Sequence, residues 1–192
     1  MCAKVKKSLI FKMKKKSKFS KSYNNQDKSS KPTFTLEPIS DEKMKKIISK
    51  IETTYNTTFK YYPTKMYINS KNKLYFSTIE AVPEHINRIN AIGLYLGTLL
   101  ESGEIRLSIE GAELLEMANQ NYIYIKEEYL SSYLSGENLF FEEVEEESTT
   151  INSAFQILYD SNNQALGVIS KKEKYYLNYL SKGRKMDFNK VF

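Results

Sequence analysis

A cluster of positive charges near the end of the chain is the clearest candidate for chemistry. Lys182, Gly183, Arg184 and Lys185 follow a predicted strand pair, and three of the four side chains are cationic. Cations and the backbone amides beside a glycine can approach a phosphate together. The sequence therefore predicts a contact for nucleic-acid phosphates, where Gly183 provides a positive φ or a close approach of the backbone to the phosphate. A solvated turn is the alternative.

A second group of cations precedes this tip. Lys171, Lys172 and Lys174 lie on the turn between the two predicted strands, and they fit either phosphate contact or a solubilising patch. Arg106 is one of only three arginines and lies on a predicted strand. A salt bridge to a nearby glutamate is predicted for Arg106, in preference to a nucleic-acid contact.

Residues typical of catalysis or metal binding are sparse. Cys2 is the only cysteine and His85 the only histidine, so no multi-cysteine zinc site is expected. Glu104 and Glu110 have no histidine, lysine or nucleophile motif beside them, and they are interpreted as a solvated acidic surface. The glycine spacings fit neither a phosphate-binding loop nor a dinucleotide fingerprint. The sequence predicts no catalytic residue, no metal and no cofactor.

Charge is divided unevenly along the 192 residues. The first 32 carry eleven lysines against one aspartate, whereas residues 101–147 carry thirteen glutamates against two basic residues. From residue 170 onward, positive charge predominates again. A polyanion should be drawn to the two basic segments, and a basic partner to the acidic one. The apolar stretches are too short for a membrane span, and the single cysteine fits a cytoplasmic (or nuclear and nucleolar) location.

The elements that would position these charges begin after a basic arm. Residues 1–33 are polar and lysine-rich, which predicts disorder. Ser40 is expected to cap a helix whose first turn is acidic. Short strands are predicted at 59–62, 65–68 and 73–76. Residues 34–83 are therefore predicted to form a small α+β unit.

Residues 84–192 are predicted to form a second unit of short strands and small helices. A helix is expected from Pro83, and the acidic run from Glu142 to Glu147 is interpreted as a loop. Further strands are predicted at 92–100, 106–109, 122–125, 154–159, 165–169 and 175–180, with helices at 111–118 and 127–134. Many short strands with few helices are typical of a closed mixed barrel. The predicted fold class is α+β.

Several glycine-centred segments of the second unit resemble the PUA domain. Gly93–Leu99 with Gly103–Gly111 is similar to the entry of that domain, and Tyr133–Leu139 to its "leucine, any residue, Gly-Glu" turn. Leu166–Gly167 and Leu177–Arg184 continue the resemblance. It is closest to the C-terminal PUA-like domains of RsmF-type RNA cytosine-5 methyltransferases of the Sun/nucleolar-protein family. Archaeal stand-alone forms and the PUA-containing pre-rRNA processing factor are also similar.

The resemblance implies a mixed β pseudo-barrel that binds structured RNA, and it does not imply catalysis. The chain departs from the methyltransferases because it has no Rossmann-like domain, no glycine-rich cofactor loop and no Pro-Cys motif. Leu180-Ser181 stands where a proline usually precedes the Lys-Gly pair, which predicts a less rigid tip.

Two hypotheses follow from the charges and the resemblance. The first is a non-catalytic RNA-binding protein of rRNA or tRNA maturation and modification, with RNA, a ribosomal precursor or an RNA methyltransferase as partner. The second is a protein-interaction or targeting subunit whose acidic face, residues 101–147, docks a basic partner such as a ribosomal protein or a separate methyltransferase. Neither involves a membrane or a small-molecule substrate.

Overall fold

The computed structural model describes residues 36–78 and 89–187. The basic arm and the helix predicted from Pro83 lie outside these residues. So does the boundary predicted between residues 83 and 84. Strands from both sides of that boundary share one sheet, because the strand Lys73–Ser77 before it pairs with the strand Leu94–Leu99 after it.

The first sheet has five antiparallel strands in the order β1-β2-β3-β4-β5. They are β1 (Leu36–Pro38), β2 (Lys65–Asn69), β3 (Lys73–Ser77), β4 (Leu94–Leu99) and β5 (Ile105–Leu107). Helix α1 (Asp41–Tyr55) begins as predicted, since the Ser40 side chain accepts a hydrogen bond from the Lys43 amide at 3.4 Å. Its apolar face, including Ile47 and Ile51, is buried in the same core as the inner face of this sheet.

The second sheet has six strands in the order β7-β11-β10-β9-β6-β8 and is nearly closed into a barrel. They are β6 (Tyr122–Ile125), β7 (Leu139–Phe140), β8 (Val144–Glu147), β9 (Gln156–Tyr159), β10 (Ala165–Lys171) and β11 (Tyr175–Asn178). All pairs are antiparallel except β6 with β9. A separate apolar cluster that includes Ile123, Leu158 and Ile169 lies among these strands.

Short helices complete the fold. They are α2 (Ile109–Glu113), α3 (Leu130–Ser135) and 3-10 turns at Glu127–Tyr129, Phe141–Glu143 and Lys182–Arg184. Helix α2 packs against β4 of the first sheet and β10 of the second. Gly111 permits this packing, since a Cβ atom there would overlap the Leu96 carbonyl. Helix α2 thus holds the two sheets together.

Three predicted elements differ in the structure. Residues 59–62 form no strand: the Lys60 amide donates to the Leu114 carbonyl, and Pro63 has no N–H to extend a ladder. The predicted helix 111–118 is instead α2, which begins earlier because the Ser108 hydroxyl accepts from the Gly111 amide. The acidic run predicted as a loop forms the 3-10 turn and strand β8, which pairs with β6 at the sheet edge.

Candidate nucleic-acid interface

A cleft of about 400 Å³ lies where the two sheets meet beside α2. Strands β3, β4 and β5 supply one side, and α2, β10 and the segment after β11 supply the other. Its polar and aromatic lining includes Lys73, Tyr95, Arg106, Glu110, Tyr179 and Arg184. We call this space the seam cleft.

Strand register places two of its cations side by side. Lys73 of β3 is opposite Thr98 of β4, and Thr98 is opposite Arg106 of β5. Neighbouring strands are roughly 4.8 Å apart, so the Lys73 and Arg106 backbones are separated by about 10 Å. Both lie in the seam cleft, on strands whose neighbouring residues Leu74 and Ile105 are buried in the core.

Each of these cations lies over a tyrosine ring. The Arg106 guanidinium is 4.7 Å from the centroid of Tyr179, and the Lys73 ammonium is 5.2 Å from that of Tyr95. Phe155 packs edge-on to the Tyr179 ring at 5.7 Å. The Tyr95 hydroxyl shares a hydrogen bond of 2.7 Å with Thr98. Both tyrosine rings are therefore held in place before any ligand arrives.

Arg106 does not form the predicted salt bridge with a residue that the structure describes, because the ion pairs found there involve other side chains. The ring of Tyr179 takes the place of the expected glutamate. This leaves the charge of Arg106 uncompensated by any described carboxylate. An anion in the seam cleft would therefore meet an available cation.

The predicted C-terminal tip lies at the mouth of the seam cleft, attached to the protein by two of its side chains. Arg184 forms an ion pair with Glu110 of α2, and the Lys185 ammonium donates to the Gly136 carbonyl at 3.2 Å. Lys182 is exposed. Arg184 has five N–H donors, so pairing with one carboxylate leaves donors for a second anion. Of the four tip residues, Arg184 lines the cleft.

Of the two roles predicted for Gly183, the positive φ is wrong, and the close backbone approach to a phosphate stays a prediction. Its φ is not in the left-handed region, and a Cβ atom built on it would have no neighbour within 4 Å. The 3-10 turn of residues 182–184 does not need a positive φ, because an alanine fits that conformation as well as a glycine.

The structure separates Lys171, Lys172 and Lys174 from the tip. They lie at the β10–β11 turn, where the Lys172 amide donates to the Tyr175 carbonyl, and β11 then carries the chain away from them. The seven predicted contact residues thus form two groups at opposite ends of β11. Lys172 and Lys174 are exposed and retain the role of candidates.

Lys171 is engaged within the protein. Its ammonium pairs with Glu147 at 2.9 and 3.1 Å and lies over the Phe141 and Tyr176 rings. The buried Tyr176 hydroxyl donates to the same carboxylate at 2.8 Å. Burial, and then this hydrogen bond, raise the pKa of Tyr176 above its ordinary value. Lys171 therefore helps to hold β8 against the barrel, and its charge is largely compensated.

Sequence reasoning missed Lys73, Tyr95 and Tyr179, and it interpreted Glu110 only as part of an acidic surface. The alternation within β3 and β4 could have placed Lys73 and Tyr95 on the face opposite the core. Nothing local indicates that Arg184 meets Glu110, which is 74 residues away along the chain. That contact depends on the packing of α2 between the sheets.

Comparison with known proteins supports the fold. A conserved PUA domain protein from Thermoplasma acidophilum matches 78% of this chain and 97% of its own, with a TM-score of 0.52 and 11% sequence identity. The chain has a PUA-like fold. The predicted α+β fold class with a PUA-like pseudo-barrel is thereby confirmed. No protein-family model and no curated protein matches the sequence.

Two further findings concern residues 36–78 and 89–187. No helix in these ranges is long and apolar enough to cross a bilayer. They also contain no group of three or more histidine, cysteine or acidic side chains placed to hold a metal ion.

Proposed function

We propose that the protein is a non-catalytic RNA-binding protein acting in rRNA or tRNA maturation, and that RNA contacts it at the seam cleft and the adjoining tip. The observation that carries this proposal is the arrangement of Lys73, Arg106 and Arg184 around two fixed tyrosine rings. Cations neutralise phosphates, whereas aromatic and guanidinium planes stack on bases. The PUA-like fold agrees with this assignment.

The lining of the cleft favours binding over catalysis. Glu110 is its only described carboxylate, and that group is paired with Arg184. Ser108 donates to the Tyr95 carbonyl at 2.6 Å and caps α2, so its hydroxyl is engaged as a structural group. Covalent catalysis would need a nucleophile with a neighbouring general base, and the described lining supplies no such pair. An RNA methyltransferase would then be a separate partner.

Salt-dependent binding tests the proposal. Fluorescence anisotropy with labelled tRNA and rRNA fragments would compare the full chain with a triple variant carrying Lys73→Gln, Arg106→Gln and Arg184→Gln. Each lost phosphate contact reduces the slope of log affinity against log salt by about one unit. The cleft variant should therefore lose two to three units of slope, and at least about tenfold in affinity at physiological salt.

A matched control removes the same charge elsewhere. Lys43, Lys45 and Lys46 are exposed on α1, and their replacement by glutamine should leave most of the affinity. Equal losses in the two triple variants would show that net charge alone drives binding, and the proposed site would be wrong. Thermal unfolding of both variants checks that each is folded.

A second candidate function is docking of a basic partner. The observation in its favour is that Glu145 and Glu146 are exposed on β8, an edge strand preceded by Glu142 and Glu143. A lysine-rich peptide should then bind in low salt and lose affinity when these four glutamates become glutamine. Peptide binding by the full chain together with no RNA binding would favour this candidate over the first.

A further inference from the structure

We infer that the seam cleft receives one unstacked base of the RNA and that Glu110 selects among bases. This inference rests on the proposed RNA-binding function and deepens it. It names the feature of the RNA that the protein would recognise: an unpaired nucleotide in a bulge, loop or end. Three observations carry the inference: the size of the cleft, the planar side chains that line it, and the carboxylate that faces it.

The size of the cleft suits a single nucleotide. Its volume of about 400 Å³ lies toward the lower end of the range of roughly 300–1,000 Å³ for small-ligand sites. A duplex cannot enter such a space, and its stacked bases offer no free faces. A base that has left the stack offers both faces and its hydrogen-bonding edge. The phosphates on either side of it would remain outside, one near Lys182 at the exposed tip and the other within reach of Lys73.

Arg106 supplies a plane for stacking. Its guanidinium lies over the Tyr179 ring, which fixes its position and covers one side of that ring. Guanidinium planes and aromatic rings are the two kinds of surface on which proteins stack unpaired bases. Lys73, over Tyr95 on the other wall, adds a mobile cation for the flanking phosphate.

Glu110 supplies selectivity because a carboxylate accepts hydrogen bonds and donates none. It is about a quarter exposed, and its pairing with Arg184 leaves further acceptor positions on its oxygens. Cytosine, adenine and guanine carry exocyclic amino donors, whereas the only donor on the pairing edge of uracil, N3–H, lies between two carbonyl oxygens that repel a carboxylate. We therefore expect the seam cleft to prefer bases with an amino group over uracil. Arg184 would hold the carboxylate in position while it reads the base.

The decisive probe is a set of RNA hairpins that differ at one bulged position only. The bulge holds cytosine, uracil or an abasic sugar, so that the number of phosphates is constant. The full chain should bind the cytosine hairpin about tenfold more tightly than the abasic one, as stacking of one base predicts. Uracil should fall between them.

Two substitutions separate stacking and selectivity from charge. Arg106→Lys keeps the charge and removes the plane, so it should abolish the preference over the abasic hairpin while leaving the salt slope unchanged. Glu110→Gln should bring cytosine and uracil to equal affinity, because an amide can both donate and accept. Glu113→Gln, on the exposed side of the same helix, is the control and should change neither ratio.

The outcomes distinguish this inference from the function on which it rests. If RNA binds in a salt-dependent way but the abasic hairpin binds as tightly as the cytosine hairpin, the base site is refuted and RNA binding stands. If the base ratios persist in Glu110→Gln, the selective role of Glu110 is refuted. If no hairpin, tRNA or rRNA fragment binds, both the inference and the proposed function fail.

Discussion

Two glycines near the proposed interface should differ in their tolerance of alanine. Gly111 is enclosed in α2, where an added Cβ would overlap the Leu96 carbonyl oxygen and lie 2.9 Å from its carbon. That carbonyl also accepts hydrogen bonds from the Ser108 amide at 2.9 Å and the Ser108 hydroxyl at 3.3 Å. Relief of the overlap by movement of β4 or α2 would stretch these bonds. Gly183 has open space around it.

The magnitude follows from two opposing effects. Overpacking typically costs about 1–3 kcal/mol, and replacing a helical glycine with alanine returns roughly 0.5–1 kcal/mol. Because the overlapped atom belongs to the backbone, the cost should lie in the upper part of that range, at about 2–3 kcal/mol. Gly111→Ala should therefore lower the free energy of unfolding by about 1–2.5 kcal/mol, which lowers the melting temperature by about 2–10 °C in a chain of this length. Gly183→Ala should stay within about 0.5 kcal/mol of the parent.

Urea unfolding followed by circular dichroism, together with thermal melts, measures both effects. Gly111→Ala should also weaken RNA binding near its melting range, because α2 carries Glu110. A stable Gly111→Ala protein beside a destabilised Gly183→Ala protein would refute the described packing of α2 and the tip.

Three other outcomes are expected. Burial raises the pKa values of Tyr55, Tyr133 and Tyr176 above the ordinary value of 10.0. Their contribution to stability is present below pH 10 and is lost as the pH rises beyond it. The urea concentration at the unfolding midpoint should therefore decrease as the pH is raised from 9 to about 11, and an unchanged midpoint would contradict this. Lys171→Ala should lower the free energy of unfolding by about 1 kcal/mol and change RNA affinity little. A large loss of affinity without loss of stability would show that Lys171 contacts the RNA. Deletion of residues 2–32 should weaken all RNAs about equally and flatten the salt slope, whereas a changed RNA preference would make the arm a specificity element.

Local signals in the sequence predicted the elements that local chemistry determines. Ser40 caps α1 because its hydroxyl and the following acidic residues suit a helix N-terminus, and both features are adjacent in the chain. Gly136, with a φ of 100°, ends α3 just after residue 134, where the sequence predicted the end of this helix. The alternating faces of residues 122–125 likewise located β6.

Contacts between distant segments decided what the sequence did not reveal. Residues 59–62 have aromatic, strand-like composition, but their backbone pairs with residues 114–116 rather than with a neighbouring strand. The charge run of Glu142–Glu147 favoured a loop until its pairing with β6 was known. Composition describes a segment alone, whereas these outcomes depend on which segment lies beside it.

The candidate interface likewise combines features that the sequence predicted with contacts that depend on distant segments. Positive charge near the C-terminus was evident from the sequence, and Arg184 lies where an RNA could reach it. Proximity in sequence nevertheless misled for Lys171, because β11 carries the chain away from the β10–β11 turn before the tip is formed. Lys73 and Arg106 become neighbours only through the register of three strands. That register required the structure.

Ultraviolet crosslinking of the full chain to bound tRNA or rRNA, followed by mass spectrometry of the RNA-linked peptides, tests most directly whether RNA occupies the seam cleft. Aromatic side chains that stack near bases are the groups expected to crosslink. Linked peptides should contain Tyr95 or Tyr179, and Arg106→Lys should reduce their yield. Crosslinks confined to residues 1–32, or to β8 and the turn before it, would contradict the proposed site.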